Sequence, residues 1–298
     1  MGMKKILVLI LTLFISSVAN ADVKGKALSK VSEKISSTIG NLIPGDGITE
    51  VSVELKDDNE VNENYQFSIL GVRDISSKEN SNLFTQFSLH SQEVNNDDRI
   101  IGNLGLGYRR LTKDQSAMVG ANIFYDQDLT EEHKRVGFGL EAKASILDVS
   151  FNKYIKATNH LIIAGTKEQT LSGHEYNISS QIPYMPWSTF NYQGYTWGNE
   201  KAINNQKGSI YSLEMSLTRS IGLNMEKDKS SVAGVKDQNN YELVFVYPPR
   251  ENKPSLTDGV VSNIAFEKQN MQANLKEKVR RNNNLAIEIQ GSVIITSK

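Results

Sequence analysis

A chain of 298 residues without one cysteine excludes a disulfide-stapled scaffold, a thiolate nucleophile and a Cys-ligated zinc centre. A net charge of −1 leaves no electrostatic footprint for nucleic acid. Apolar residues make up 39% and mean hydropathy is −0.39, low for one large dry core and suited to a sheet with an oily and a wet face.

The first 21 residues read as a signal peptide. Lys4 and Lys5 precede the apolar run from Ile6 to Ile15, and Ala19-Asn20-Ala21 supplies an A-x-A cleavage site. Ten apolar residues are too few to span a bilayer of about 30 Å, so an anchor is the weaker reading. Residues 22–47 come next as a periplasmic helix and linker. Ala27, Leu28, Val31, Ile35, Ile39 and Leu42 recur at helical spacing, and Gly40, Pro44, Gly45 and Gly47 end the pattern.

From Ile48 onward the period changes from helical to alternating. Strands are predicted near 48–56, 64–75, 81–92, 98–111, 115–126, 134–146, 148–157, 173–181, 187–197, 208–219, 221–227 and 239–247. The clearest is the sixth. Val136, Phe138, Leu140, Ala142, Ala144 and Ile146 fall on one face, and Arg135, Gly137, Gly139, Glu141, Lys143 and Ser145 on the other. Tyr241, Leu243, Phe245 and Tyr247 make the apolar stripe of the last strand. The links alternate between short ones, such as Thr112 to Asp114, and longer polar ones, such as Gln127 to Glu132 and Asn199 to Lys207. That asymmetry is the one that outer-membrane barrels show between their periplasmic turns and outer loops. In such a barrel the oily faces meet lipid and the charged faces line a wet lumen. A barrel over 48–248 is therefore predicted, with Pro248 and Pro249 ending its last strand.

Residues 249–298 need a separate place. Ile264, Met271, Leu275 and Val279 recur among Glu, Lys, Gln and Asn, which predicts a mostly polar helix over 261–281. Leu285, Ile287, Ile289, Val293 and Ile295 then read as an extended strand.

Several ordered motifs go beyond a generic barrel. They are Phe84-Thr85-Gln86, Asn103-Leu104-Gly105-Leu106-Gly107-Tyr108-Arg109, Asn122-Ile123-Phe124-Tyr125-Asp126 and His133-Lys134-Arg135-Val136-Gly137. Ser150-Phe151-Asn152-Lys153-Tyr154, Ile182-Pro183-Tyr184-Met185-Pro186-Trp187 and Lys278-Val279-Arg280-Arg281-Asn282-Asn283-Asn284-Leu285 continue the set. In this order and spacing they resemble the translocator domain of inverse autotransporters, the intimin and invasin family, over roughly residues 48 to 296. The resemblance implies an all-β, twelve-stranded antiparallel transmembrane barrel in the Gram-negative outer membrane. It further implies a C-terminal helix and strand that thread the lumen and lead to an extracellular passenger. No passenger domain is expected within a sequence that ends at Lys298, and residues 22–47 lack the peptidoglycan-binding module of some relatives.

Catalytic, metal and cofactor motifs are not found. Gly105-x-Gly107 lacks the helix that completes a phosphate loop. Of the histidines, His133 with Asp126 flanks one outer loop, but one His near one Asp does not make a site. The inward charges Arg109, Arg135, Glu141, Lys143 and Glu214 are the candidate contacts for a threaded segment. They have a plainer reading as groups that pair with one another and with water. The function expected is export and surface display of the chain's own C-terminal segment, with an adhesion-related role; the alternative is a porin-like channel. Expected partners are outer-membrane lipids, periplasmic chaperones, the β-barrel assembly machinery and the C-terminal segment itself. The sequence names no host receptor, and the barrel is expected to be monomeric.

Overall fold

The computed structural model describes residues 44–57, 64–198, 206–231, 237–251, 253–268, 271–289 and 292–294. The leader and the amphipathic segment at 23–41 lie outside them. Strands β1 (Gly47–Asp57), β2 (Asn64–Lys78), β3 (Ser81–Val94), β4 (Asp97–Leu111), β5 (Ala117–Asp128), β6 (Lys134–Ala144) and β7 (Leu147–Lys156) succeed one another. A short hairpin, β8 (Leu161–Ile163) and β9 (Thr166–Thr170), interrupts the series. Next come β10 (Gly173–Ile182), β11 (Met185–Trp197), β12 (Gln206–Ser216), β13 (Ile221–Ser230) and β14 (Gln238–Tyr247), and finally β15 (Ile287–Ile289) and β16 (Ser292–Ile294). All twelve strands expected for the barrel form, and they close antiparallel with β7 beside β10 and β14 beside β1.

Each strand sorts its side chains by the pleat. On β6 Phe138 and Leu140 are 46% and 63% exposed, whereas Arg135, Gly139 and Glu141 between and around them are buried. Leu104, Leu106 and Tyr108 on β4, and Val119, Ile123 and Tyr125 on β5, extend the same outer surface. The barrel thus shows oil outward and buries its charges inward, the inverse of a soluble globule. Phe245 belongs to the outer stripe of β14 but is covered there, packed on Ile221 with Val51, Leu217, Leu243 and Tyr247 around it.

One barrel end has tight connections, as at Glu79–Asn80 and Pro183–Tyr184. The other carries the longer ones, of which 157–172 holds the β8–β9 hairpin. The exception is β3–β4, where Asn95 and Asn96, at φ of 53° and 66°, make a two-residue turn of the kind whose twist matches a hairpin.

The helix expected over 261–281 is not formed. Among the described residues this stretch holds one 3-10 turn, Ala273–Lys276. The physical reason is competition. Main-chain groups from Asn274 onward are bonded to barrel side chains, and Val279 packs in a separate cluster with Phe84 and Phe124, apart from Met271 and Leu275, which pack together on Leu111 and Met118. The single strand expected after Leu285 is instead the pair β15 and β16, and β15 also pairs with β9, so the second sheet runs β16-β15-β9-β8.

Candidate functional site in the barrel lumen

Residues 253–268 lie across the tight-turn end of the barrel. Trp187 Nε1 donates to the Val260 carbonyl at 2.9 Å, and the Tyr184 N–H donates to Ala265 O at 2.8 Å. From Met271 the chain runs against the inward faces of the strands. There the wall binds its main chain, level after level.

At the lowest level Asn82 Nδ2 donates to Leu275 O at 3.2 Å. Arg109 Nη1 donates to the carbonyls of Asn274 at 3.3 Å and Leu275 at 3.2 Å, and also to that of Glu277. Glu141 on β6 braces this arginine, with Nε–Oε1 at 2.6 Å and Nη2–Oε2 at 3.2 Å, and the guanidinium lies 4.5 Å over the Phe84 ring. One level up, the Val279 N–H donates to Gln86 Oε1 at 2.8 Å, and Asn152 Nδ2 donates to Arg280 O at 3.0 Å. Arg280 turns its own side chain to Glu214, with Nη2–Oε2 at 2.9 Å.

The third level is the most closely knit. Arg135 donates to Asn282 O at 2.8 Å and to Asn284 O at 2.9 Å, while its Nε holds Asp126 at 2.9 Å. Asn103 Nδ2 bridges Asp126 Oδ1 at 2.7 Å and Asn283 O at 3.1 Å. The Asn282 N–H donates to Tyr154 OH at 2.9 Å and Glu175 Oε1 at 2.8 Å, and Tyr154 donates to the same carboxylate at 2.8 Å. Above it, Gln92 takes both main-chain groups of Leu285, accepting from N at 2.9 Å and donating to O at 2.8 Å. Leu285, Ile287 and Ile289 then pack on Val94 and Ile101.

The sequence prepares this seam through its inward small residues. A methyl at Gly105 would lie 2.4 Å from the Phe124 ring, and one at Gly107 2.3 Å from the Phe84 ring. Glycine at both positions lets the rings lie flat on the wall, where Phe124 carries Arg281 at 4.1 Å and Phe84 carries Arg109. At the long-loop end Glu168 of β9 is held by Arg99 at 2.8 Å and stands 3.3 Å from His133 Nε2, which locks the hairpin over the barrel mouth.

All five inward candidates face the lumen, in different ways. Arg109, Arg135 and Glu214 touch the C-terminal segment, Glu141 reaches it only through Arg109, and Lys143 pairs with Asp148 at 3.3 Å. Sequence reasoning missed the uncharged donors and acceptors Gln86, Gln92, Asn103, Asn152 and Tyr154. Their signal was an inward position inside strands already delimited. His133 and Asp126 are not brought together as a pair: the first lies beside Glu168 and the second is occupied by Arg135, Arg281 and Asn103. Among the described residues no cluster has the make-up of a metal centre. The segment fills only part of the lumen. A cavity of about 630 Å³ remains on the β10–β14 side, where Ser212, Glu226 and Glu242 line one wall and Lys278 and Arg280 the other.

The same architecture is found in known proteins. The family described as inverse autotransporter, beta-domain, matches residues 14–283. The chain belongs to the inverse autotransporter family. It is 27% identical over 181 residues to an attaching and effacing protein homolog of Escherichia coli K12, covering 58% of this chain and 57% of that protein. It is also 34% identical over 95 residues to invasin of Yersinia enterocolitica and 40% identical over 76 residues to the inverse autotransporter adhesin YeeJ of E. coli K12. Those matches cover 31% and 26% of this chain but only 11% and 3% of the relatives, so the chain spans little more than half of the first relative and small parts of the others. A solved chain from a study of the in-meso crystallization of membrane proteins has a TM-score of 0.66 at 18% identity, covering 82% of this chain and 99% of that one, which shows a shared fold. This inverse autotransporter is thus an outer-membrane β-barrel of a translocator or adhesin family.

Proposed function

We propose that this barrel exports its own C-terminal segment through the lumen, anchors it there and displays its far end at the cell surface in an adhesion-related role. The observation that carries the reading is the ladder of side chains bonded to main-chain atoms of residues 274–285. The part of this binding made to carbonyls and N–H groups does not depend on the side chains of the chain held, while Arg280 on Glu214 and Arg281 on Asp126 add contacts that do. That suits a conduit through which a whole polypeptide slides before one stretch comes to rest. The bonds also satisfy the backbone of a segment that, beyond the 3-10 turn at Ala273–Lys276, makes no helix of its own among the described residues. In this reading residues 1–21 direct export to the periplasm, 22–47 remain there, and periplasmic chaperones and the β-barrel assembly machinery deliver a monomeric barrel to the outer membrane. Energy for passage comes from folding of the exported part, since folding outside removes it from the equilibrium.

The test is an epitope tag fused after Lys298 in the full chain. Antibody labelling on intact cells is expected. A tag protected on intact cells and labelled only after the outer membrane is opened would place the C-terminal end in the periplasm and end the export reading. The residual cavity favours one alternative, a porin-like channel beside the segment. Planar-bilayer recordings separate the two: low conductance for the whole chain and a large increase on deleting residues 251–298 support a filled conduit. Equal, large conductance in both supports a pore.

A further inference from the structure

The inward charges are absorbed by the lumen, but the outward ones are unevenly spread. Near the long-loop end of β7 and β10 to β13, outward residues form rows across the strands. In the top row Lys153 faces His174, which faces Thr196, which faces Lys207. One step down Ser209 faces Lys229, and below that Tyr192 faces Tyr211, which faces Lys227. The next row is apolar, with Phe190, Leu213 and Met225 in register.

The four lysines are exposed. Lys229 Nζ lies 5.8 Å from the centre of the Tyr211 ring, and Tyr192 OH is 3.1 Å from Ser209 Oγ. Lys227 is paired with Asp237 at 3.5 Å, whereas Lys153, Lys207 and Lys229 join no ion pair among the described residues. On the opposite wall the sign reverses at the same end, where Glu93 faces Asp98 across β3 and β4. This is a graded surface: oil, then hydroxyls, then cations, confined to one side of the barrel.

We propose that this outer face binds the phosphates of an anionic glycolipid in the outer leaflet. Long barrel loops lie on the outer side of an outer membrane, so the lysine row stands at the headgroup level of that leaflet. Lysines there extend their stems along the apolar wall and raise their ammonium groups to the interface. Phosphates sit between Lys207, Lys229 and Lys153, the Tyr192 and Ser209 hydroxyls offer hydrogen bonds just below, and the acyl chains lie on Phe190, Leu213 and Met225. Charge complementarity selects the ligand, because a phosphate-bearing headgroup is the anion held at that depth by its own acyl chains.

The experiment uses the full chain folded in detergent, with bound lipid counted by native mass spectrometry. The probes are diphosphoryl lipid A, the same lipid with its phosphates removed, and inorganic phosphate. The variant carries Lys153→Ser, Lys207→Ser and Lys229→Ser together, all at exposed positions. A control carries Arg110→Ser and Lys113→Ser at the tight-turn end. The expected result is saturable binding of diphosphoryl lipid A to the unaltered chain and the control, weakened about tenfold or more in the triple variant, with little binding of the dephosphorylated lipid. Heat-modifiable electrophoretic mobility verifies that each protein is folded. Equal affinity of the triple variant, equal affinity for the dephosphorylated lipid, or equally tight capture of inorganic phosphate alone would overturn the proposal.

Discussion

Arg281 closes on Asp126 through both carboxylate oxygens, at 3.0 and 2.6 Å, in a place where neither side chain meets solvent. Arg135 holds the same carboxylate from the neighbouring strand, so one buried anion is shared by a wall cation and a segment cation. Removing one member of such a group leaves buried charge unbalanced. Asp126→Ala is expected to destabilise the folded barrel by about 3–5 kcal/mol, read from urea unfolding in detergent. Combining it with Arg281→Met should recover part of that loss. A double variant whose losses simply add would mean that the two residues do not meet.

The two faces of the wall should respond oppositely to the same substitution. Leu140→Arg places a cation on the lipid side and is expected to cost about 2–4 kcal/mol near the bilayer midplane. Ser212→Arg places it beside the lumenal cavity, within reach of Glu214 and Glu226, and should cost much less. Folding into liposomes over a urea series measures both. Equal tolerance at the two sites would mean that β6 does not face lipid.

Close approach at Gly107 gives a third expectation. The Phe84 ring occupies the volume of a Cβ there, and the ring cannot move outward through the wall. Gly107→Ala is expected to cost about 1–3 kcal/mol and to loosen the seat of Arg109. Phe84→Leu added to it should relieve the crowding, and unchanged stability in the single variant would contradict the packing.

Much of the fold was legible in the residues, for identifiable reasons. Alternation over ten or more residues fixes a strand and its faces, which is why Phe138 and Leu140 read as one face and Arg135 and Glu141 as the other from sequence alone. The strand expected at 221–227 runs on to Ser230 because Lys227 and Lys229 lie at the membrane rim, where outward residues are no longer apolar and the alternation disappears. The hairpin β8–β9 was invisible, since its strands have three and five residues and its partner β15 lies more than a hundred residues away. The spacing of Met271, Leu275 and Val279 reads equally well as one helical face or as successive contacts of an extended chain. Only the wall decides, because it supplies the hydrogen bonds that a helix would otherwise make for itself.

The clasp over the barrel mouth should be sensitive to pH. Burial of the His133 imidazole, aided by Arg99, holds it below its ordinary value of 6.5 despite the pull of Glu168 and Asp128. The unfolded clasp therefore takes up a proton before the folded one does, and stability falls as pH drops below about 6.5. Hydrogen exchange at the Leu171 amide, which donates to Ala286 O, reports this once corrected for intrinsic rates. Protection should decrease between pH 7 and pH 5 and become flat in His133→Gln; pH-independent protection in the unaltered chain would contradict it.

The central claim, that the barrel holds its own C-terminal segment inside the lumen, has a direct chemical measurement. The native chain has no cysteine, so Gln92→Cys with Leu285→Cys gives one thiol pair on a clean background. A short bis-methanethiosulfonate reagent applied to intact cells should join them and shift the electrophoretic mobility of the denatured protein, as Gln92 binds both main-chain groups of Leu285. Two thiols that each react singly with a water-soluble reagent yet never join would show that the segment does not rest against β3, and the account would fail.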